Sequence, residues 1–323
     1  MRRWRLGFTL VSLAALLWLA PPHAIIAVLA TAEPRWVVAG VTLSLAATLL
    51  SAAIFRGILA LRGIDARYGA VLAANLAGDF YSLSLPGGLA VGGAVRLIRL
   101  GRDGRGMSGV LAAIVVSRVQ EMLLQLSLAL LAMCWILGRL PAAGSWAAVI
   151  GLGTLATAGI YLALFNRTCR RWGFGLMTRW LPRRSRRAGR LRRLLVRAGR
   201  VRQVGALAHA RLLAMGVLRH LLGAAAFLAF AAAAGVELGL APALWTRGVT
   251  GITMLLPLSV AGLGLRELSY VALLGIFGVP PATALAVSLM VFATLLLNAA
   301  VGGLIELGSA VRPVARGTAP DRP

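Results

Sequence analysis

The chain alternates long apolar runs with short basic or Gly/Pro-rich breaks, and that alternation predicts helices that cross a membrane. It opens "MRRWRLGFTLVSLAALLWLAPPHA": a basic start, an apolar run, then Trp18 ahead of Pro21 and Pro22. A secretory signal has a similar layout. Because apolar runs continue along the chain, this stretch reads as a retained first span anchored at the interface by Trp18. Further spans are expected over Trp36 to Phe55, Gly109 to Leu137, Trp146 to Phe165, Leu221 to Val236 and Pro281 to Leu307. A helical crossing takes about twenty apolar residues. The run from Gly109 carries Arg118 and Glu121 inside it and reads as one tilted helix.

Two regions do not fit simple crossings. Tyr68 to Arg102 has arginines on both flanks, Arg62 and Arg67 before it and Arg99 to Arg105 after it, so the chain must return to the face it left. Tyr68 to Leu85 is nearly long enough to span, but Leu89 to Ile98 is not. Pro86, Gly87 and Gly88 lie between the halves, where proline stops one helix and glycine permits the turn into the next. The second region, "LWTRGVTGITMLLPLSVAGLGLRELSYVALLGIFGVPP", again joins two short halves, Trp245 to Leu256 and Glu267 to Phe277. Its tip holds Pro257, Ser259, Gly262 and Gly264. Paired short, Gly/Pro-interrupted segments point to a transporter's substrate site. The expected fold is therefore an all-α polytopic membrane protein with about six full transmembrane helices plus two re-entrant helical hairpins. If the hairpins span instead, the count is about eight to ten membrane helices. Residues 1–311 are expected to form one integral membrane domain and 312–323 a disordered tail.

Composition and charge sharpen the picture. Of 323 residues 59% are hydrophobic and 13% charged, well outside the range of an ordinary soluble domain. The formal net charge of +25 is concentrated: fourteen arginines fall between Arg167 and Arg202, and no acid occurs from Met122 to Val236. An arginine-rich loop over 166–211 marks the cytoplasmic side and can rest on anionic lipid headgroups. With the first span this puts both termini in the cytoplasm, in a multi-pass protein of the cell inner membrane. Within the loop, apolar residues at helical spacing suit a helix lying in the headgroup layer; a solvated connector fits equally. Nucleic acid is not an expected partner, since no aromatic platform or recognition motif accompanies the arginines. Cys134 and Cys169 are far apart and suggest neither a disulfide framework nor a metal site. No phosphate-binding G-x-x-x-x-G-K-[ST] loop, cofactor motif or nucleophile–base set emerges, so no enzyme activity and no cofactor are expected.

Three blocks carry a resemblance: "NLAGDFYSLSLPGGLAVGGAVRLIRL", "VSRVQEMLLQLSLALL" and "LLPLSVAGLGLRELSYVALLGIFGVP". Together they resemble the flippase-like membrane region of lysylphosphatidylglycerol synthases and its stand-alone relatives, over roughly residues 36–306. Pro86-Gly87, Gly92-Gly93 and Arg96 match the first family block, but Ala94 stands where an acid is common. Arg118 and Glu121 resemble the family's Arg/acid pair at looser spacing. In the third block Pro257-Leu258-Ser259, Gly262, Gly264, Arg266 and Glu267 carry the match. The resemblance implies movement of a lipid between leaflets, without the soluble aminoacyl-transferase domain of the full-length synthases. Relatives linked to polyprenyl-phosphate, glycolipid and hopanoid pathways leave the substrate open.

The residues suit that role. An anionic headgroup crossing hydrocarbon needs compensating positive charge, and a guanidinium binds two phosphate oxygens at once. Arg96 and Arg266, each just past a broken tip, are the candidate phosphate contacts. Arg96 as a snorkelling flank and Arg266 as half of a structural ion pair with Glu267 are the plainer readings. Arg118, Glu121 and Asp79 are intramembrane ionisable groups, which by default suggest a functional site. Arg118 and Glu121 can also satisfy each other on one helix face. Asn75 can contact substrate or cross-link helices. Transport would be passive or ion-coupled, with Asp79, Glu121 or Glu267 as a proton carrier. The alternative is an accessory subunit that docks a lipid-linked glycosyltransferase or other lipid-modifying enzyme through the arginine loop.

Overall fold

The computed structural model describes residues 14–16, 18–85, 88–101, 106–137, 151–153, 159, 206–254 and 262–311. Among these every regular element is a helix: α1 (Pro22–Ala30), α2 (Pro34–Ala60), α3 (Tyr68–Ser84), α4 (Leu89–Gly101), α5 (Met107–Leu137), α6 (Ala206–Ala233), α7 (Leu240–Thr253), α8 (Leu265–Gly275) and α9 (Pro281–Val311). Four of them, α2, α5, α6 and α9, are long and apolar enough to cross a membrane. Most of the expected fourth span, most of the first span, the arginine loop through residue 205, Pro86, Gly87, Pro257, Ser259 and the tail lie outside the described residues.

The two Gly/Pro-broken regions form pairs of short helices. The arms α3 and α4 have 17 and 13 residues, α7 and α8 have 14 and 11. At a rise of 1.5 Å per residue these are about 17–26 Å long, against a hydrocarbon core of about 30 Å.

The pairs open at opposite ends of the bundle. At one end a core of Ile58, Leu59, Ile64, Val71, Leu100, Val110 and Leu212 gathers the ends of α2 and α4 and the starts of α3, α5 and α6. At the other, Phe230, Ala243, Leu274, Val279 and Ala284 gather the end of α6, the start of α7, the end of α8 and the start of α9. There the Glu33 N–H donates to the Ala233 carbonyl at 3.1 Å, fixing the start of α2 beside the end of α6. Each hairpin therefore begins and ends at one end of the bundle.

Glycines set the closest helix contacts. A Cβ on Gly302 of α9 would collide with the Leu76 carbonyl of α3, and one on Gly92 of α4 with Ser82 and the Gly78 carbonyl of α3. Small residues at such crossings are how membrane helices gain packing when lipid offers no hydrophobic drive to associate.

Several boundaries differ from expectation: α2 runs on to Ala60 and α7 spans Leu240–Thr253 where Trp245 to Leu256 was expected. The span expected from Leu221 begins at Ala206, so the last residues assigned to the basic loop, 206–211, are helical and continuous with it. Of the stretch expected to lie in the headgroup layer, the residues from Leu207 onward belong to a helix long and apolar enough to cross a membrane. A short helix, α1, also follows the first span; Pro22 starts it, its φ already helical and its missing N–H not needed there.

Candidate functional site

Charged side chains meet in the middle of this bundle. Glu121 on α5 and Arg219 on α6 each sit within one residue of the centre of helices 31 and 28 residues long. By helical rise that is about 20 Å from either helix end. Arg219 spans to Glu121 with N···O 2.8 Å, and Arg118, one turn back on α5, holds the other carboxylate oxygen at 3.1 Å. One carboxylate thus serves two guanidiniums. His220 lies beside them, its Nε2 3.3 Å from the Arg219 guanidinium.

The first hairpin adds a second pair. Arg96 of α4 donates to Asp79 of α3 at 2.9 Å. The arms approach closely enough for this because Gly78 and Gly92 face each other without side chains. The charges of Arg118 and Glu121 reach Asp79, and that of Arg96 reaches Glu121, so the two groups form one cluster. The side chains of this cluster retain 20–38% exposure, with Arg219 the most covered. They are paired but not sealed off.

The second hairpin brings in Arg247 of α7. Its guanidinium rests on Gly223 of α6, the position one turn after Arg219 and on the same helix face. Its charge acts on Arg219, His220 and Tyr270. On α5, Gln125 donates to the Arg247 carbonyl at 2.9 Å, and Gln120 donates to the Leu212 carbonyl at 3.3 Å. These amides tie α5 to α7 and to the first half of α6.

Arg266 and Glu267 behave differently. Both are buried, with 6% and 4% exposure. They pair with each other, Arg266 stacks over Phe292 of α9 at 4.3 Å, and Glu267 accepts from the Gly264 N–H at 2.8 Å. That last bond caps α8 where Gly262 and Gly264 adopt φ of 79° and 83°, a backbone only glycine holds easily. Of the two roles expected for Arg266, the structural ion pair agrees with this burial: the pair anchors the hairpin tip to α9. Gly88, at the other tip, also has a positive φ of 51°.

Asn75 lies one turn before Asp79 but is buried, and its carbonyl oxygen has no hydrogen-bond partner among the described residues. Arg99 pairs with Glu306 of α9 at 2.8 Å, near the ends of both helices.

Sequence reasoning thus singled out Asp79, Arg96, Arg118 and Glu121, which the fold brings together, and Arg266 and Glu267, which it sets apart. It missed Arg219, His220, Arg247, Gln120 and Gln125. Their signal was present: in a stretch without acids, Arg219 inside an apolar run requires a carboxylate from another helix, and Glu121 lies inside an apolar run of its own.

No curated protein matches the chain. The family model of the lysylphosphatidylglycerol synthase TM region matches residues 4–302, almost the whole length. The chain is a multi-pass membrane protein belonging to the family of the lysylphosphatidylglycerol synthase transmembrane region.

Proposed function

We propose that this protein moves an anionic lipid between the leaflets of the cell inner membrane. The observation that carries the reading is the Arg118–Glu121–Arg219 cluster at mid-span, extended toward one end of the bundle by Arg96 and toward the other by Arg247. A charged group at that depth costs roughly 2.5–3.5 kcal/mol, so such residues persist where they serve a path for polar cargo. A phosphate entering beside Arg96 exchanges with Asp79, then with Glu121 for Arg118 and Arg219, and leaves past Arg247. At each step one oxyanion replaces another, and the guanidiniums keep their hydrogen bonds. The acyl chains stay in lipid throughout. No covalent step is required.

The short arms support a re-entrant arrangement, each hairpin dipping from one face to bring its irregular tip to mid-depth under cover of protein. The bundle end that carries Arg56, Arg62, Arg67, Arg99 and Arg211 faces the cytoplasm, and α9 ends on that side.

The test is leaflet exchange in vesicles. Purified protein in phosphatidylcholine vesicles with a trace of fluorescent phosphatidylglycerol is expected to speed exchange at least about tenfold, a barrier reduction of about 1.4 kcal/mol or more. Arg219→Ala is expected to remove most of that gain while the protein still elutes as a folded species. Exchange at the protein-free rate, with phosphatidylglycerol and with a polyprenyl phosphate alike, would sink the proposal.

A further inference from the structure

The charges inside the bundle do not balance. Asp79 neutralises Arg96, Glu267 neutralises Arg266, and Glu306 neutralises Arg99. Glu121 alone faces both Arg118 and Arg219. Arg247 has no carboxylate within ion-pair distance among the described residues. The chain has nine acidic residues; those outside the described residues are Asp103, two positions past the end of α4, and Asp321, near the C-terminus. The count covers Arg96, Arg99, Arg118, Arg219, Arg247 and Arg266 and the four carboxylates of Asp79, Glu121, Glu267 and Glu306. Even with His220 counted as neutral, two positive charges remain, and Gly223 puts them side by side. Arg219 and Gly223 share a face of α6, and the Arg247 guanidinium occupies the space that a side chain at 223 would take.

We infer that the site is built for a doubly charged phosphate: a phosphomonoester or diphosphate headgroup, in preference to the singly charged phosphodiester of phosphatidylglycerol. This rests on the lipid-transport reading and names its substrate class. A phosphomonoester carries nearly two negative charges near neutrality and offers three acceptor oxygens. Arg118, Arg219 and Arg247 offer donors from three helices, and a dianion cancels the surplus where a monoanion leaves one charge uncompensated.

The full-length protein in detergent, at about pH 8, where a phosphomonoester is doubly ionised, is titrated with phosphatidic acid, phosphatidylglycerol, phosphatidylcholine and inorganic phosphate, and bound lipid is read by native mass spectrometry. Phosphatidic acid is expected to bind at least about tenfold tighter than phosphatidylglycerol. Inorganic phosphate is expected to bind far more weakly than phosphatidic acid. Two variants locate the preference. Arg247→Gln removes one surplus charge. Gly223→Val keeps every charge but pushes the flexible end of Arg247 away, which leaves the fold intact. Each is expected to bring the ratio of the two lipids to within about threefold. Equal binding of the two lipids by wild type, or an unchanged ratio in both variants, would overturn the inference. So would inorganic phosphate binding as tightly as phosphatidic acid, which assigns the site to the free anion. Selective binding of phosphatidic acid without leaflet exchange in vesicles upholds the dianion site and removes the transport reading alone. Equal exchange and equal binding of both lipids does the reverse.

Discussion

Glu121 is a shared counter-ion, and that gives it an energetic role distinct from any part in transport. Replacing it with glutamine leaves Arg118 and Arg219 facing each other with no carboxylate between them. Removing one partner of a fully buried pair costs 3–5 kcal/mol, and the partial exposure here reduces the expected loss to about 1–3 kcal/mol. The double variant Glu121→Gln/Arg219→Gln removes the repulsion as well and is expected to recover at least half of the lost stability, because contacting residues do not act additively. Melting of the purified variants in detergent measures both; a double variant no more stable than the single one would mean that the pair is not coupled. The same residues show what was legible. Arg118 and Glu121 stand out because charge interrupts an apolar run. Arg219 was hidden by proximity to the arginine loop, which absorbed it as a flank, and Arg247 because it lies in a short arm whose ends were misplaced by a few residues. Helix length separates a flanking arginine from a central one, and hydropathy alone does not give that length when a helix extends beyond its most apolar stretch.

At the level of the elements, long spans are legible because twenty apolar residues have few other stable uses, and the short arms are legible because Pro/Gly breaks and arginine flanks force the chain to return. What a single sequence does not announce is which glycines are contacts. Gly88 and Gly92 stand four apart, a spacing that recurs by chance in a chain with 38 glycines; in the structure Gly92 meets Gly78 of α3. Gly302 supplies the clearest test. A side chain there meets the Leu76 backbone, which cannot move without displacing α3. Gly302→Val is expected to cost about 1–3 kcal/mol as overpacking and to lower the yield of folded protein. Gly308→Val, on the same helix with nothing within 4 Å, is expected to melt like wild type. If both variants melt alike, the α3–α9 contact is looser than described here.

For the whole molecule the decisive question is whether the hairpins, which open at opposite ends, turn inside the bundle or cross it, and thiol labelling reads this in living cells. The background replaces Cys134 and Cys169 by serine. Asp65→Cys reports the end where α3 begins, and Glu237→Cys the end where α7 begins; both positions are exposed. A membrane-impermeant maleimide is expected to label Glu237→Cys in intact cells and Asp65→Cys only after permeabilisation, given the orientation set by the arginines. The tips then separate dipping from crossing. If α3 and α4 cross, Leu85, which is 45% exposed, emerges on the outer face and Leu85→Cys labels in intact cells as Glu237→Cys does. If they dip, it stays unlabelled from outside. Leu263→Cys is the mirror case: crossing by α7 and α8 would expose it to the cytoplasm, whereas dipping keeps it from labelling with Asp65→Cys. The arm lengths favour dipping for both, and most firmly for α8, whose 11 residues reach about 17 Å. Labelling of both tips from the far face would leave the mid-span arginines without irregular backbone beside them. The track for a headgroup would then have to run between complete helices.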